Sequence, residues 1–166
     1  MLSRKNTGQT TTFYVCCAPS QPNNFIFSPP VEGRYMGWHA AALGYNGFLR
    51  WAYDAWPADP LRDARHTLWP AGDCFLVYPG GNSCIRFEKL REGISDFEKI
   101  RILKEKAAKA PGNSKVNALI SELDAHMAKV AVVYEKNRGN YKATDLSEAL
   151  RKGRLLITEL SENLGN

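Results

Sequence analysis

The sequence predicts an α/β fold: a strand–helix–strand unit, then a long helix, then a closing pair of helices. Three observations carry this. β-Branched and aromatic runs at 11–17 and 47–53 flank a stretch with helical apolar spacing. The composition changes near residue 100, since 16 of the 18 aromatics lie in 1–97 and all but one of the nine prolines lie at or before Pro79. Beyond Pro111 the chain is rich in Lys and Glu, with apolar residues at near-heptad spacing.

The elements follow in order. TTFYVCC (11–17) reads as a buried strand that ends at Ala18-Pro19. Residues 18–30 hold four prolines and two asparagines and read as a loop. Pro29 and Pro30 suit a helix start. Tyr35, Trp38, Ala42 and Leu43 fall at helical spacing from Val31 to Leu43, and Gly44 is the stop. GFLRWAY (47–53) is the second strand. Such a unit builds a parallel sheet, and ligands sit beyond the C-terminal ends of its strands. Residues 57–73 form a loop long enough to carry function. CFLVYPGGN (74–82) reads as a short strand and turn. Ser83 caps a helix running to about Lys109, with Phe87, Leu90, Ile94, Phe97 and Leu103 on one face. Ser114 begins a helix carrying Val116, Leu119, Ile120, Leu123, Met127 and Val130, which Asn137-Arg138-Gly139-Asn140 breaks. Thr144 or Asp145 begins the last helix, with Leu146, Leu150, Ile157, Leu160 and Leu164, and Gly165 ends it. The last two read as an αα-hairpin packed on the main body.

Composition narrows the function classes. The chain is 44% hydrophobic and 23% charged, with formal net charge +5 from 22 basic and 17 acidic residues. No basic block stands out, so nucleic acid is not expected as a partner. No run of 18 apolar residues exists, so no membrane span is expected. The N-terminus MLSRKNTGQTTT lacks a signal-length apolar stretch, so either the chain stays in the cytoplasm or a leader is missing. The spacing of Cys16, Cys17, Cys74 and Cys84 fits no metal site, and no cofactor is expected. Cys16 and Cys17 read as buried thiols on opposite faces of a strand, and a Cys74–Cys84 bridge stays open.

The stretch GFLRWAYDAWPADP (47–60) crowds Trp51, Tyr53 and Trp56 beside Asp54. A sugar ring has apolar C–H faces and polar edges. Proteins grip it by stacking an aromatic on a face and aiming carboxylates at hydroxyls. Trp51, Tyr53, Asp54 and Trp56, with Asp73 in the following loop, supply that mixture. Ordinary core aromatics are the competing reading. Arg50, on a strand, needs a carboxylate or a ligand. Asp54, Asp59, Asp63 and Asp73 form no adjacent pair, and His39 and His66 have no nearby Ser or Cys partner in sequence. No catalytic residue is assigned.

The runs GFLRWAYDAWPADPLRDAR, WPAGDCFLVYPG and SCIRFEKLREGISDFEKIRIL, with TTFYVCCAPSQPNNFIFSPP upstream, together resemble the C-terminal end of the catalytic domain of glycoside hydrolase family 123. The resemblance covers roughly residues 8–105 and leaves out the tail. It implies the C-terminal portion of a (β/α)8 TIM-type barrel over 1–110, followed by a helical tail over 111–166. It also implies a retaining, substrate-assisted β-N-acetylgalactosaminidase. In that mechanism the 2-acetamido oxygen attacks, a Glu is the acid/base and a neighbouring Asp orients the acetamide. No metal is needed, and the enzymes are exported bacterial proteins. This chain has no Asp-Glu dipeptide, and a barrel needs about 250 residues. The expectation is therefore a C-terminal fragment that walls the sugar pocket without the acid/base pair. Its partners would be a glycan and an upstream barrel portion or a second copy of the chain. The alternative is a non-catalytic carbohydrate-binding or self-associating structural module.

Overall fold

The computed structural model describes residues 7–137 and 142–165. The elements are β1 (Thr12–Tyr14), α1 (Val31–Leu43), β2 (Gly47–Leu49), α2 (Ile85–Ala108), α3 (Ser114–Asn137) and α4 (Ala143–Asn163). A 3-10 turn at Pro79–Gly81 precedes α2. The chain is a mixed, mainly helical α/β structure. β1 and β2 form a two-stranded parallel sheet with Thr12 opposite Gly47, Phe13 opposite Phe48 and Tyr14 opposite Leu49. The strand–helix–strand expectation holds.

Both strands are shorter than their sequence runs. After Tyr14 the chain bends, with the Cys16 N–H donating to the Ala18 carbonyl at 3.3 Å. After Leu49, Arg50 turns inward to partners on two loops and leaves the ladder. The short strand expected within 74–82 does not form. Phe75 makes only an isolated antiparallel bridge to Asp54, and Tyr78 one to Asn82. Cys74, Phe75, Leu76 and Val77 are all buried in succession. A segment covered on both sides yields an apolar run without needing a sheet ladder.

The boundaries of α1 match the sequence reading. Pro30 precedes it, and Gly44 ends it at φ 69°, with its N–H on the carbonyls of Ala40 and Ala41. A left-handed residue at this position is what glycine allows. α1 packs against α2, α3, α4 and β2. Tyr35 and Trp38 sit in the larger apolar core with Ile100, Leu123, Leu150 and Leu160. Met36 joins a smaller one with Val15, Leu76 and Leu90.

The buried stripe of α2 differs from the expected one. It runs through Arg86, Leu90, Gly93, Asp96, Ile100, Leu103 and Ala107, while Ile94 is exposed. The reason is the contact with α1. A Cβ at Gly37 would lie 1.9 Å from the Gly93 carbonyl oxygen, and one at Gly93 would lie 2.4 Å from that of Arg34. Beside this backbone contact, Asp96 Oδ2 accepts from Arg34 Nε at 2.7 Å and from Trp38 Nε1 at 2.8 Å. A hydrophobicity pattern cannot see a stripe made of a glycine and a neutralised ion pair. Ser83 does not cap α2: Cys84 is the N-cap residue, and the Ser83 hydroxyl bonds the Glu88 carboxylate.

The expected tail helices are present and pack together. The break expected at 137–140 lies, beyond Asn137, outside the described residues. Gly153 of α4 takes Trp38 edge-on, since a Cβ there would stand 2.3 Å from Trp38 Cη2. Leu164 closes α4, and Gly165 follows in the left-handed region at φ 66°. No helix among the described residues is long and apolar enough to cross a membrane.

Two predictions follow from this packing. Gly37→Ala forces α1 from α2 and lowers stability by about 1–3 kcal/mol or more, read by urea unfolding. His39 is buried among the rings of Phe13, Tyr35 and Tyr45, and burial lowers its pKa to about 4. The unfolded chain then binds a proton near the ordinary value of 6.5 while the folded one does not. Stability is present above that value and falls by about 3 kcal/mol as pH drops toward 4. In His39→Phe this part of the pH dependence disappears from melts across that range.

Candidate functional site

The site is built where β1 and β2 end. Arg50, one residue past β2, points inward, and its side chain is 2% exposed. Its Nη2 donates to Asp73 Oδ1 at 2.6 Å, its Nη1 to Asn23 Oδ1 at 2.6 Å and its Nε to the Asp73 carbonyl at 3.2 Å. The guanidinium also lies 5.7 Å from the centre of the Phe25 ring. Burial pushes the arginine's pKa down, and Asp73 pulls it back. Burial likewise pushes the Asp73 carboxyl up, against the pull of Arg50. The carboxylate expected for a strand arginine is therefore Asp73.

Asn23 extends this network. Its Nδ2 donates to the Cys16 and Pro19 carbonyls, both at 2.6 Å, and its N–H to Glu32 Oε2 at 2.6 Å. A second buried arginine, Arg86 in the first turn of α2, does parallel work. Its Nη1 donates to the carbonyls of Asn24, Gly72 and Phe75 at 2.6, 3.1 and 3.1 Å. Gly72 stands at φ 82° with no room for a Cβ against Arg86 and Ile26. Loop 18–30 and the 70–75 turn are thus fixed to each other and to the end of β2.

On this base sits the aromatic stretch. Trp51 is 65% exposed and Tyr53 52%, with Asp54 exposed between them and Trp56 39% exposed. Alternation continues past the strand: Arg50 faces in, Trp51 faces out. The segment is pinned from below. The Leu76 N–H donates to the Tyr53 carbonyl at 2.8 Å and the Ala55 N–H to the Cys74 carbonyl at 3.0 Å. Trp56 Nε1 donates to the Val77 carbonyl at 2.7 Å, and the Tyr53 ring meets Phe87 edge-on.

Trp51, Tyr53, Asp54 and Trp56 are all exposed along the segment that follows β2. Asp73 lies beneath it, 3% exposed, with Oδ1 held by Arg50. Asn23, Glu32 and Arg86 escaped the sequence reading. The adjacent Asn23-Asn24 in a proline loop and an arginine between Ile85 and Phe87 were the available signals. Cys16 and Cys17 are not buried on opposite faces: Cys17 is exposed, and both lie past the end of β1 as free thiols. Cys74 and Cys84 are also free. Among the described residues no group of three or more His, Cys, Asp or Glu side chains is placed to hold a metal ion.

Removing one member of the Arg50–Asp73 pair leaves the other charge buried. Asp73→Asn is expected to cost about 3–5 kcal/mol. The double variant Arg50→Met/Asp73→Leu is expected to cost less than the sum of its single changes. Equilibrium unfolding of the unaltered protein, Asp73→Asn, Arg50→Met, Asp73→Leu and the double variant checks both.

The family model for "Glycoside hydrolase 123, catalytic domain" matches residues 1–103. No curated protein matches the chain. Among solved structures, the chain is similar to a family 123 glycoside hydrolase from Clostridium perfringens, described for glycolipid glycan hydrolysis. The identity is 26% and the TM-score 0.72. The match covers 98% of this chain and 28% of that one, so this chain spans little more than a quarter of its relative's length. It also takes in α3 and α4, which the sequence resemblance left out. On these matches the chain belongs to glycoside hydrolase family 123.

Proposed function

We propose that this chain supplies one wall of the sugar pocket in a glycoside hydrolase acting on N-acetylhexosamine β-glycosides of the GalNAc type. The observation that carries the reading is the strip of Trp51, Tyr53, Asp54 and Trp56, exposed beyond β2 on a hydrogen-bonded base. An exposed indole held rigid is a stacking face that loses little entropy on binding. Asp54 beside it accepts hydrogen bonds from hydroxyls. Asp73 acts by fixing Arg50 and the turn under the strip.

In this reading residues 1–110 form the C-terminal part of a (β/α)8 barrel and residues 111–166 a helical tail. The parallel β1–α1–β2 unit, with the aromatic strip past its C-terminal end, supports it. The reaction is retaining and substrate-assisted. The substrate's acetamide oxygen attacks the anomeric carbon, and an acid/base Glu protonates the departing oxygen. Those acidic residues lie outside this chain, which has no Asp-Glu dipeptide. The work on the Clostridium perfringens relative concerns glycolipid glycans, so the glycan part of a glycolipid is the substrate class to try first.

One observation favours the second reading, a self-associating or purely carbohydrate-binding module. Tyr14 and Leu49 are register partners, both exposed, on a sheet with only two strands. Unpaired edges of this kind invite another strand.

The isolated chain is expected not to hydrolyse an aryl N-acetyl-β-galactosaminide, and turnover by it would overturn the division of labour. Tryptophan fluorescence is expected to change on titration with N-acetylgalactosamine. Trp51→Ala is expected to weaken that binding about tenfold, for a stacking contact of about 1–1.5 kcal/mol. A flat titration beside a concentration-dependent mass in sedimentation would favour the self-associating module.

A further inference from the structure

Two adjacent thiols follow β1, and the glycosidase reading uses neither. Side chains at successive positions of a strand point to opposite faces. Here the bend after Tyr14 removes that constraint, and the Sγ atoms of Cys16 and Cys17 lie 3.7 Å apart. Cys17 is exposed and Cys16 half-buried. The Cys16 backbone is held on both sides: its N–H donates to the Ala18 carbonyl at 3.3 Å, and its carbonyl accepts Asn23 Nδ2 at 2.6 Å. The two sulfurs are therefore presented together by a fixed turn.

We propose that Cys16 and Cys17 are a modification site: a vicinal dithiol that small-molecule disulfides oxidise to an intramolecular disulfide. The first step is attack on the reagent's disulfide by the accessible thiol. Cys17 gives its proton to water, and its sulfur attacks one sulfur of the reagent and expels the other as a thiolate. This leaves a mixed disulfide on Cys17. Cys16 then gives up its proton, and its sulfur attacks Cys17 Sγ. That attack forms the Cys16–Cys17 bond and expels the second reagent thiolate. In sum, the two protein thiols lose two electrons and two protons, and the reagent disulfide is reduced to two thiols.

The geometry also sets how firmly the ring holds. Adjacent Cα atoms are about 3.8 Å apart, whereas ordinary disulfides join Cα atoms about 4.4–6.8 Å apart. A ring closed over one peptide bond is strained and easily reduced, so the modification is reversible. Rate depends on thiolate. The hydrogen bond with Cys16 raises the Cys17 thiol above its ordinary pKa, and the negative charge of Asp73 adds to the shift. Oxidation is slowest at low pH and accelerates as pH rises. Cys74, a buried thiol next to Asp73, is the rival partner that the test excludes.

The test incubates the full 166-residue chain with excess glutathione disulfide and reads intact mass and mapped peptides. The expected product has lost two hydrogens per chain, carries the bridge within the peptide holding Cys16 and Cys17, and reverts with dithiothreitol. Its rate rises about tenfold per pH unit below the thiol pKa. Cys74→Ser keeps this product. Cys16→Ser stops at a stable glutathione adduct on Cys17, and Cys17→Ser loses no hydrogens. A bridge that vanishes in Cys74→Ser, a disulfide between two chains, or a lasting adduct on the unaltered protein would overturn the proposal. It stands apart from the sugar-pocket reading, and failure of sugar binding leaves it untouched.

Discussion

The guanidinium of Arg50 has to be neutralised inside the protein, and the end of the sheet is organised around that demand. Burying one unpaired charge costs several kcal/mol. Three features offset this: the Asp73 carboxylate, the Asn23 amide oxygen and the face of Phe25. Each comes from a different stretch from Arg50 itself, so satisfying one side chain brings two long loops to the end of β2. Arg86 repeats the device with carbonyl groups as acceptors. Together the two arginines explain how loops with seven prolines between them are tied to one another with almost no regular structure.

A sheet of two three-residue strands cannot hold a chain of this length together. The helices do that, and α1 is the element they share. Its Tyr35 and Trp38 reach into the core formed with α3 and α4, while Met36 packs under the sheet. Close approach depends on three glycines, Gly37, Gly93 and Gly153, which let backbone meet backbone and indole meet helix. Because α1 is also the crossover between β1 and β2, the helical core fixes the sheet register. Through β2 it fixes the direction of Arg50.

Much of this was legible in the sequence. α1 was readable to the residue because its ends are chemically marked, by Pro30 at one end and Gly44 at the other. α3 and α4 were readable because their buried faces are purely apolar and repeat at helical spacing. What failed was wherever burial is not apolar. The inner face of α2 holds Arg86, Gly93 and Asp96, so a search for hydrophobic residues rotates it wrongly. CFLVY looked like a strand because Cys74 to Val77 are buried in succession, though its bridges are isolated ones. At the candidate site, Trp51, Tyr53, Asp54 and Trp56 could be picked out from their crowding. Asn23, Glu32 and Arg86 could not, since each acts through a partner far away in the chain.

The exposed apolar residues at this end of the molecule are of two kinds, and the difference bears on what each is for. Tyr53 and Trp56 are uncovered but held: one ring rests edge-on against Phe87, and one indole N–H is bonded to the Val77 carbonyl. Trp51 lies between Arg50 and the pinned Tyr53, so its backbone has little freedom. Such rings present a fixed face to a small flat ligand, and ordering them on binding costs little. Tyr14, Leu49, Leu61 and Leu68 are likewise uncovered, two of them on the sheet and two in the long loop. Tyr14 and Leu49 border open strand edges, where backbone donors and acceptors also lack a ladder. The first kind fits recognition of a sugar ring. The second, where it borders open strand edges, fits the self-associating alternative.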